Sequence, residues 1–240
     1  MKKVYIDPGH GGTDSGAVGV RNVLEKNIVL EVAKKVASKL RNCSIEVKLS
    51  RTDDTFKTLN YRSSDANNWK ADCFVSIHCN SASKKDENGK TIIDPKPHGF
   101  ETFCYKFKYR GLADYLQKEM LNANLYTRDR GVKEGNYHVL RETNMSAALV
   151  ELGFITNAED IKLLENKQEE FATAIAKGIC KFLGVEYKGG PANTTSSPSG
   201  DNVLYRICAT AVTGVTKADE EINKLKGLGY KDAYKVAVNK

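Results

Sequence analysis

Four polar residues lie where the sequence predicts the carboxyl ends of strands or the start of a helix. His10 follows a first strand, His78 closes a second apolar segment, and Glu151 stands within a third. Glu25 lies in the first turn of the helix expected after the first loop. In open α/β sheets, ligands bind at the carboxyl ends of the strands. The spacing therefore predicts that two imidazoles and two carboxylates converge on one spot.

This combination of side chains is suited to metal-assisted hydrolysis. Two histidines and one carboxylate form a known zinc ligand set that leaves a fourth position for water. Zinc lowers the pKa of such a water to about 7 and polarises a carbonyl beside it. A further carboxylate can take the proton and hand it to a leaving amine. We therefore predict Zn²⁺ as the cofactor, with His10, Glu25 and His78 as ligands and Glu151 as the acid–base residue.

Each of these residues also has a structural interpretation. Glu25 follows Asn22 by three, which is the spacing of a helix-capping arrangement. His78 alone could be a hydrogen-bonded core histidine, and His10 could simply close a glycine turn. A carboxylate in the apolar segment around Glu151 is costly to bury without a partner or a task. The convergence of all four residues favours the metal site.

The glycines around His10 raise a second possibility, a phosphate-binding loop. The segment GHGGTDSG does not match G-x-G-x-x-G, and no Walker lysine follows it. Glycine here more plausibly allows a sharp backbone turn and keeps space open around a metal.

Strand and helix patterns alternate along the chain, which predicts an α/β fold with a sheet covered by helices. Apolar residues recur at helical spacing from Val23 to Leu40, and the segments SIEVKLSR and DCFVSIHCN read as strands. Residues 83–98 are rich in charge, Gly and Pro, so we expect a loop or flap there.

Composition excludes several functional classes. The net charge of +7 comes from scattered lysines and arginines, so we expect no nucleic-acid partner. No segment has the roughly 18 apolar residues needed to cross a bilayer, so no membrane insertion is expected. No signal peptide is visible, which predicts synthesis in the cytoplasm. The six dispersed cysteines fit free thiols better than a disulfide framework or a structural zinc site.

Five segments together resemble the zinc-dependent N-acetylmuramoyl-L-alanine amidases of the amidase-3 family. The resemblance covers about Val4 to Gly184, with the motifs in the family's order. The segments are IDPGHGGTDSGAVG, FVSIHCNSA, GFETF, RDRGVK and VLRETNMSAALVELGFITN.

The resemblance implies a fold, an activity and residue roles. The fold is a twisted mixed sheet flanked by helices, and the reaction is cleavage of the amide between N-acetylmuramic acid and the L-alanine of the peptidoglycan stem peptide. The family's zinc ligands correspond to His10, Glu25 and His78, and its catalytic glutamate corresponds to Glu151. Peptidoglycan is therefore the expected partner.

Other polar residues near these motifs have weaker assignments. Asn80 lies two residues beyond His78, on the same strand face, and could orient a ligand or bind substrate, or simply end the strand. Arg141 could pair with a stem-peptide carboxylate or form a structural ion pair. His98 and His138 match no metal position of the family and are expected at the solvent or substrate rim.

The composition changes near the C-terminus. We predict a catalytic domain over residues 1–187, a flexible linker over 188–201 and a small βαβ unit over 202–240. The last segment is similar to half of a SPOR-type peptidoglycan-binding repeat. One such unit would leave a sheet edge and an apolar face uncovered. We therefore predict that two chains pair through it; the alternative is a tail that packs on its own catalytic domain or is partly disordered.

The expected function is a cell-wall lytic amidase, either a phage endolysin or an enzyme of mother-cell lysis that acts on the wall after release. A zinc carboxypeptidase acting on wall peptides is an alternative with the same metal set. A metal-free wall-binding protein is a third interpretation, and Glu151 argues against it.

Overall fold

The computed structural model of the chain describes residues 1–126 and 128–189. Within these ranges, eight strands and six α-helices alternate in the order expected for an α/β protein. The strands are β1 (Lys3–Pro8), β2 (Glu46–Leu49), β3 (Cys73–Asn80), β4 (Ser83–Lys85), β5 (Thr91–Ile93), β6 (Phe100–Cys104), β7 (Asp129–Glu134) and β8 (Ser146–Phe154). The helices are α1 (Glu25–Asn42), α2 (Leu59–Trp69), α3 (Gly111–Asn122), α4 (His138–Arg141), α5 (Ala158–Asn166) and α6 (Gln168–Leu183).

Six strands form one mixed sheet in the order β2-β1-β3-β8-β6-β7. All neighbouring pairs are parallel except β6 and β8, which are antiparallel. The carboxyl ends of β1, β3 and β8 therefore lie at the same edge of the sheet. The predicted mixed sheet flanked by helices is confirmed.

The two faces of the sheet are covered by different helices. Alternate residues of the central strands point to one face, where Val4, Val75 and Val150 pack in the larger core with α1, α3 and α6. The intervening residues point the other way, where Tyr5 and Phe74 join a smaller core with α2 and α4. Because the sheet is covered on both faces, β3 is apolar over nearly its whole length.

The second face changes from apolar to polar towards the carboxyl ends of the strands. Tyr5 and Phe74 are paired in register and stack on each other, with ring centroids 5.6 Å apart. Two residues further along lie Asp7 and Ser76, and then His78. The smaller core therefore ends where the polar residues begin, and the two groups are adjacent on the same face of the sheet.

Local sequence signals explain several helix ends. The Thr58 side chain accepts a hydrogen bond from Tyr61 N at the start of α2, and the Asn157 side chain does the same for two amides at the start of α5. Gly184 ends α6 in the left-handed conformation with φ 66°.

Helix α1 begins without a side-chain cap, after Leu24. The capping interpretation of the Asn22–Glu25 spacing is therefore wrong.

One segment differs from its sequence-based description, and two others lie largely or wholly outside the described ranges. Residues 83–98 contain β4 and β5, which pair as an antiparallel hairpin rather than remaining an irregular loop. The predicted C-terminal unit (202–240) falls outside the described residues, and so does the predicted linker (188–201) apart from its first two residues.

Among the helices described, none is both long and apolar enough to cross a bilayer.

Candidate metal centre

Three predicted ligands come together at the carboxyl edge of the sheet. His10 lies just after β1, Glu25 is the first residue of α1, and His78 is near the end of β3. Glu25 Oε1 lies 3.2 Å from His10 Nε2 and 3.0 Å from His78 Nδ1. One ligand atom from each residue lies within 4.8 Å of the others. The structure therefore brings two imidazole nitrogens and one carboxylate oxygen to a single point.

The spacing of these atoms fits a small divalent ion. Bonds of ~2.0–2.1 Å in tetrahedral geometry separate ligand atoms by about 3.3 Å, close to the distances from Glu25 Oε1. The His10 and His78 rings are nearly perpendicular, at 83°, with centroids 4.9 Å apart. The donor set, two nitrogens and one oxygen, is one that Zn²⁺ uses in hydrolytic sites. The residues present therefore fit a zinc ion.

Glycines make this close approach possible at two positions. A Cβ at Gly9 would lie 2.2 Å from the His78 ring. A Cβ at Gly16 would lie 2.6 Å from Glu25 Oε2 and 2.6 Å from the His10 ring, and Gly16 also has a φ of +64°. Only glycine leaves room for the ligands at these positions.

Neighbouring groups orient the ligands. Asp14 Oδ2 lies 2.9 Å from His10 Nδ1, so the nitrogen on the far side of that ring faces a carboxylate. Glu25 Oε2 accepts a hydrogen bond from Ala17 N, and Glu25 Oε1 accepts one from Cys79 N. Outer partners of this kind hold the tautomer and orientation of metal ligands.

A buried polar network holds the loop that carries His10. Arg51 donates hydrogen bonds to the Pro8 and Gly9 carbonyls, and Arg62 donates one to the His10 carbonyl. Arg62 also forms an ion pair with Asp7 at 2.6 Å, with both side chains buried. His10 has a left-handed backbone conformation, with φ 59°. Hydrogen bonds from the two guanidinium groups to the carbonyls of this loop stabilise that conformation. Neither arginine was predicted from the sequence as part of the site.

The charges of the three ligand residues change one another's pKa. Burial alone would raise the pKa of the Glu25 carboxyl, but hydrogen bonds and charges from His10 and His78 outweigh it and hold that pKa well below its usual range. Burial opposes a charge on His10, yet Glu25 and Asp14 together raise its pKa to about 9. Glu25 is therefore an anion when the chain is folded, as a metal ligand must be.

Glu151 lies beside the ligands but is not among them. It is the register partner of His78 on the adjacent strand, so the two side chains share one face of the sheet. Its Oε2 is buried and has no hydrogen-bond partner within the part of the chain that the structure describes. Burial raises the pKa of the Glu151 carboxyl to about 7. A group with a pKa near neutrality can both accept and return a proton.

The weaker sequence predictions have other contacts. Asn80 Nδ2 donates to Glu101 Oε1 at 2.7 Å, and its Oδ1 accepts from Ser81 N. The described hydrogen bonds of Arg141 go to Glu142 and Asn136, close to it in sequence. A substrate-binding role for Asn80 and Arg141 stays a prediction.

The two remaining histidines stand apart from the ligand set. His98 Nδ1 lies 3.2 Å from the Lys96 carbonyl, and His138 Nε2 lies 3.4 Å from Ser63 Oγ. Among the described residues, the possible metal-binding group contains only His10, Glu25 and His78. A rim position for the other two stays a prediction.

Residues 4–181 match the family described as N-acetylmuramoyl-L-alanine amidase. The chain belongs to this family.

Similar proteins span several biological settings. An uncharacterised Bacillus subtilis protein, YqiI, is 42% identical over 183 residues, which is 75% of this chain and 84% of that protein. The sporulation-specific N-acetylmuramoyl-L-alanine amidase of Bacillus subtilis is 35% identical over 96% of this chain and 83% of its own length. An endolysin of Bacillus phage SPP1 is 37% identical over 79% of this chain and 69% of its own length.

The fold is also similar to solved structures. The catalytic domain of CwlV, an N-acetylmuramoyl-L-alanine amidase from Bacillus (Paenibacillus) polymyxa var. colistinus, superposes with a TM-score of 0.70 at 41% identity. The match covers 78% of this chain and all of that domain. The catalytic-domain architecture is therefore shared.

Proposed function

We propose that this chain hydrolyses the amide bond between N-acetylmuramic acid and the L-alanine of the peptidoglycan stem peptide, with a zinc ion held by His10, Glu25 and His78. The observation that carries the proposal is the position of Glu151. Its buried Oε2, which has no hydrogen-bond partner among the described residues, lies on the same sheet face as His78, a member of the metal-binding set. Membership in the amidase family supports the choice of bond.

His10, Glu25 and His78 would hold the ion that supplies the electrophilic part of the reaction. When bound, zinc polarises the scissile carbonyl and makes water acidic enough to attack it near neutral pH. The remaining steps belong to residues of this chain.

Glu151 performs the proton transfers. Its carboxylate takes a proton from the attacking water at Oε2, the oxygen that has no partner among the described residues. The same group then returns the proton to the nitrogen of L-alanine as the amide bond breaks, which releases the peptide as an amine.

The polar network beneath the site holds the ligands in place. Arg51 and Arg62 fix the loop that presents His10, and Asp14 holds the far nitrogen of its ring. A preorganised ligand set requires little rearrangement when substrate arrives.

The biological setting is a further part of the proposal. The relatives include a sporulation amidase and a phage endolysin. We propose that the chain acts on the cell wall after its release, in one of these two roles. We also propose that Asn80 and Arg141 contact the substrate and that two chains pair through residues 202–240.

Digestion of purified peptidoglycan, followed by mass analysis, tests the activity. We expect peptides with a free amine on L-alanine and sugar strands without peptide, and a chelator should stop both. Release of single C-terminal amino acids would instead identify a carboxypeptidase. Wall binding without any released product would leave only the non-catalytic interpretation.

A further inference from the structure

A cationic cluster lies beside the proposed catalytic residue, on the side away from the metal ligands. Glu151 is the register partner of Glu101 on β6, just as it is the partner of His78 on β3. Directly opposed residues project to the same face of a sheet. His78, Glu151 and Glu101 therefore form one row across three strands. Arg130 and Lys133 extend this row from β7, where both contact Glu101 Oε2.

The cluster of Glu101, Arg130 and Lys133 has a net positive charge. Glu101 is buried, and its second oxygen accepts a hydrogen bond from Asn80. Arg130 and Lys133 supply two cations to this single anion. Their side chains remain 22% and 39% exposed. A net positive charge therefore faces solvent next to the proposed catalytic residue.

Arg130 is also preoriented to bind an anion. It uses Nε on Glu101 at 2.6 Å, and its guanidinium lies over the Phe154 ring, 4.8 Å from the centroid. Its two terminal nitrogens have no hydrogen-bond partner within the described part of the chain. A planar pair of this kind matches the two oxygens of a carboxylate. Glu101 and Phe154 hold the group in one orientation, which reduces the entropy lost on binding.

We propose that Arg130 and Lys133 form a binding site for a free carboxylate carried by the leaving peptide of the substrate. Neighbouring strands are about 4.8 Å apart, so the cationic groups lie roughly 5–10 Å from Glu151. An extended peptide covers about 3.3–3.6 Å per residue. The carboxylate belongs to the second residue of the peptide, counted from the cleaved bond. Glu101 is the positioning residue that holds both cations. This inference rests on the proposed amidase function and extends it to substrate selection.

The test uses two muramoyl tripeptides made of L-alanine, γ-linked D-glutamate and L-lysine. They differ only in the α-carboxyl group of the glutamate, which is free in one and a primary amide in the other. Hydrogen bonds between charged groups are strong enough for us to expect the full-length zinc enzyme to prefer the free acid in kcat/KM by about tenfold or more. Lys133→Gln and Arg130→Gln should each reduce this ratio, and the double variant should bring it close to one.

Control variants show which residue causes the preference for the free acid. Lys118→Gln removes an exposed positive charge on α3 and should leave the ratio unchanged. Loss of the preference in Arg141→Gln would assign the carboxylate to Arg141 and overturn the proposal. An equal rate on both compounds by the unmodified enzyme, or a preference that survives in the double variant, would overturn it as well.

A binding measurement separates this inference from the proposed function. Calorimetric titration of the corresponding free tripeptides, acid and amide, requires no catalysis. If the unmodified enzyme cleaves neither muramoyl compound, the amidase proposal fails. Tighter binding of the acid, lost in Lys133→Gln, would still support the carboxylate site. Equal binding of the two peptides would reject it. Far-ultraviolet circular dichroism and zinc content of each variant confirm that the fold is intact.

Discussion

Glu25 Oε1 lies 3.0 Å from His78 Nδ1, although the two residues belong to elements on different parts of the fold. Helix α1 packs on the face of the sheet with the larger core, whereas His78 projects from the opposite face. Glu25 is the first residue of the helix, at the edge of the sheet, and from there its carboxylate reaches the backbone amide of Cys79. The metal site is therefore built around the edge of the sheet rather than on one face.

Replacement of Glu151 by glutamine should separate catalysis from metal binding. The change keeps the size of the side chain but removes the group that accepts the proton, so we expect peptidoglycan cleavage to fall by about 10²–10⁴-fold. Zinc content, measured by atomic absorption, should remain close to one ion per chain because Glu151 is not a ligand. Glu31→Gln changes an exposed glutamate on α1 and should keep activity. Full activity in Glu151→Gln would remove the mechanistic assignment.

Replacement of Asp14 by asparagine should weaken metal binding without removing a ligand. Asp14 holds the far nitrogen of His10, and loss of such outer partners lowers metal affinity by about 10–100-fold. Competition with a chromophoric chelator measures the change. Asp114→Asn, on the surface of α3, is the matched control. An unchanged zinc affinity in Asp14→Asn would show that this contact does not support the site.

Replacement of Gly9 by alanine should disrupt the site by steric overlap. The added methyl group would lie 2.2 Å from the His78 ring, so the ring or the loop must move. We expect loss of zinc binding and of cleavage, while circular dichroism reports a folded chain. Gly111→Ala is a matched control, because a Cβ there comes no closer than 3.8 Å to its neighbour. Normal zinc binding in Gly9→Ala would contradict the packing seen around His78.

The buried pair Asp7–Arg62 should make stability depend on pH. Burial opposes the charged form of Asp7, but Arg62, Ser50 and Ser76 outweigh it and lower the pKa of this carboxyl. A carboxyl with a lowered folded-state pKa stabilises the fold above its unfolded value of about 3.9, and this contribution is lost as pH falls through the folded-state pKa.

Urea unfolding measures this contribution. Arg62→Met leaves the Asp7 charge buried without its cation, and we expect it to lower the free energy of unfolding by about 3–5 kcal/mol at pH 7. The difference between this variant and the unmodified chain should shrink at acidic pH as Asp7 becomes protonated. A difference that stays constant with pH would show that the ion pair does not carry the effect.

Pairing through residues 202–240 stays a prediction, because these residues lie outside the described ranges. Light scattering of the full chain and of a shortened chain ending at Gly190 would test it. A dimeric mass that becomes monomeric on shortening is the expected result. Equal monomeric masses would reject pairing.

Much of the site could be predicted from the sequence because its main elements carry strong local signals. His10 follows β1, His78 lies near the end of β3 and Glu151 lies within β8. Each is a side chain that can bind a metal or transfer a proton next to an apolar segment. Parallel strands bring their carboxyl ends to one edge, so the convergence followed from the fold class. Glu25 was ambiguous, since a glutamate near a helix start has a common capping role.

Only the tertiary structure decided how the residues around the ligands are used. The Glu101–Arg130–Lys133 cluster depends on the antiparallel pairing of β6 with β8 and the parallel pairing of β6 with β7. Arg62 becomes the partner of Asp7 because α2 packs on the second face of the sheet. These are contacts between residues 29 to 55 positions apart. Hydrophobic periodicity and strand spacing are local and determine which elements form, but register and packing across the sheet decide which charges meet.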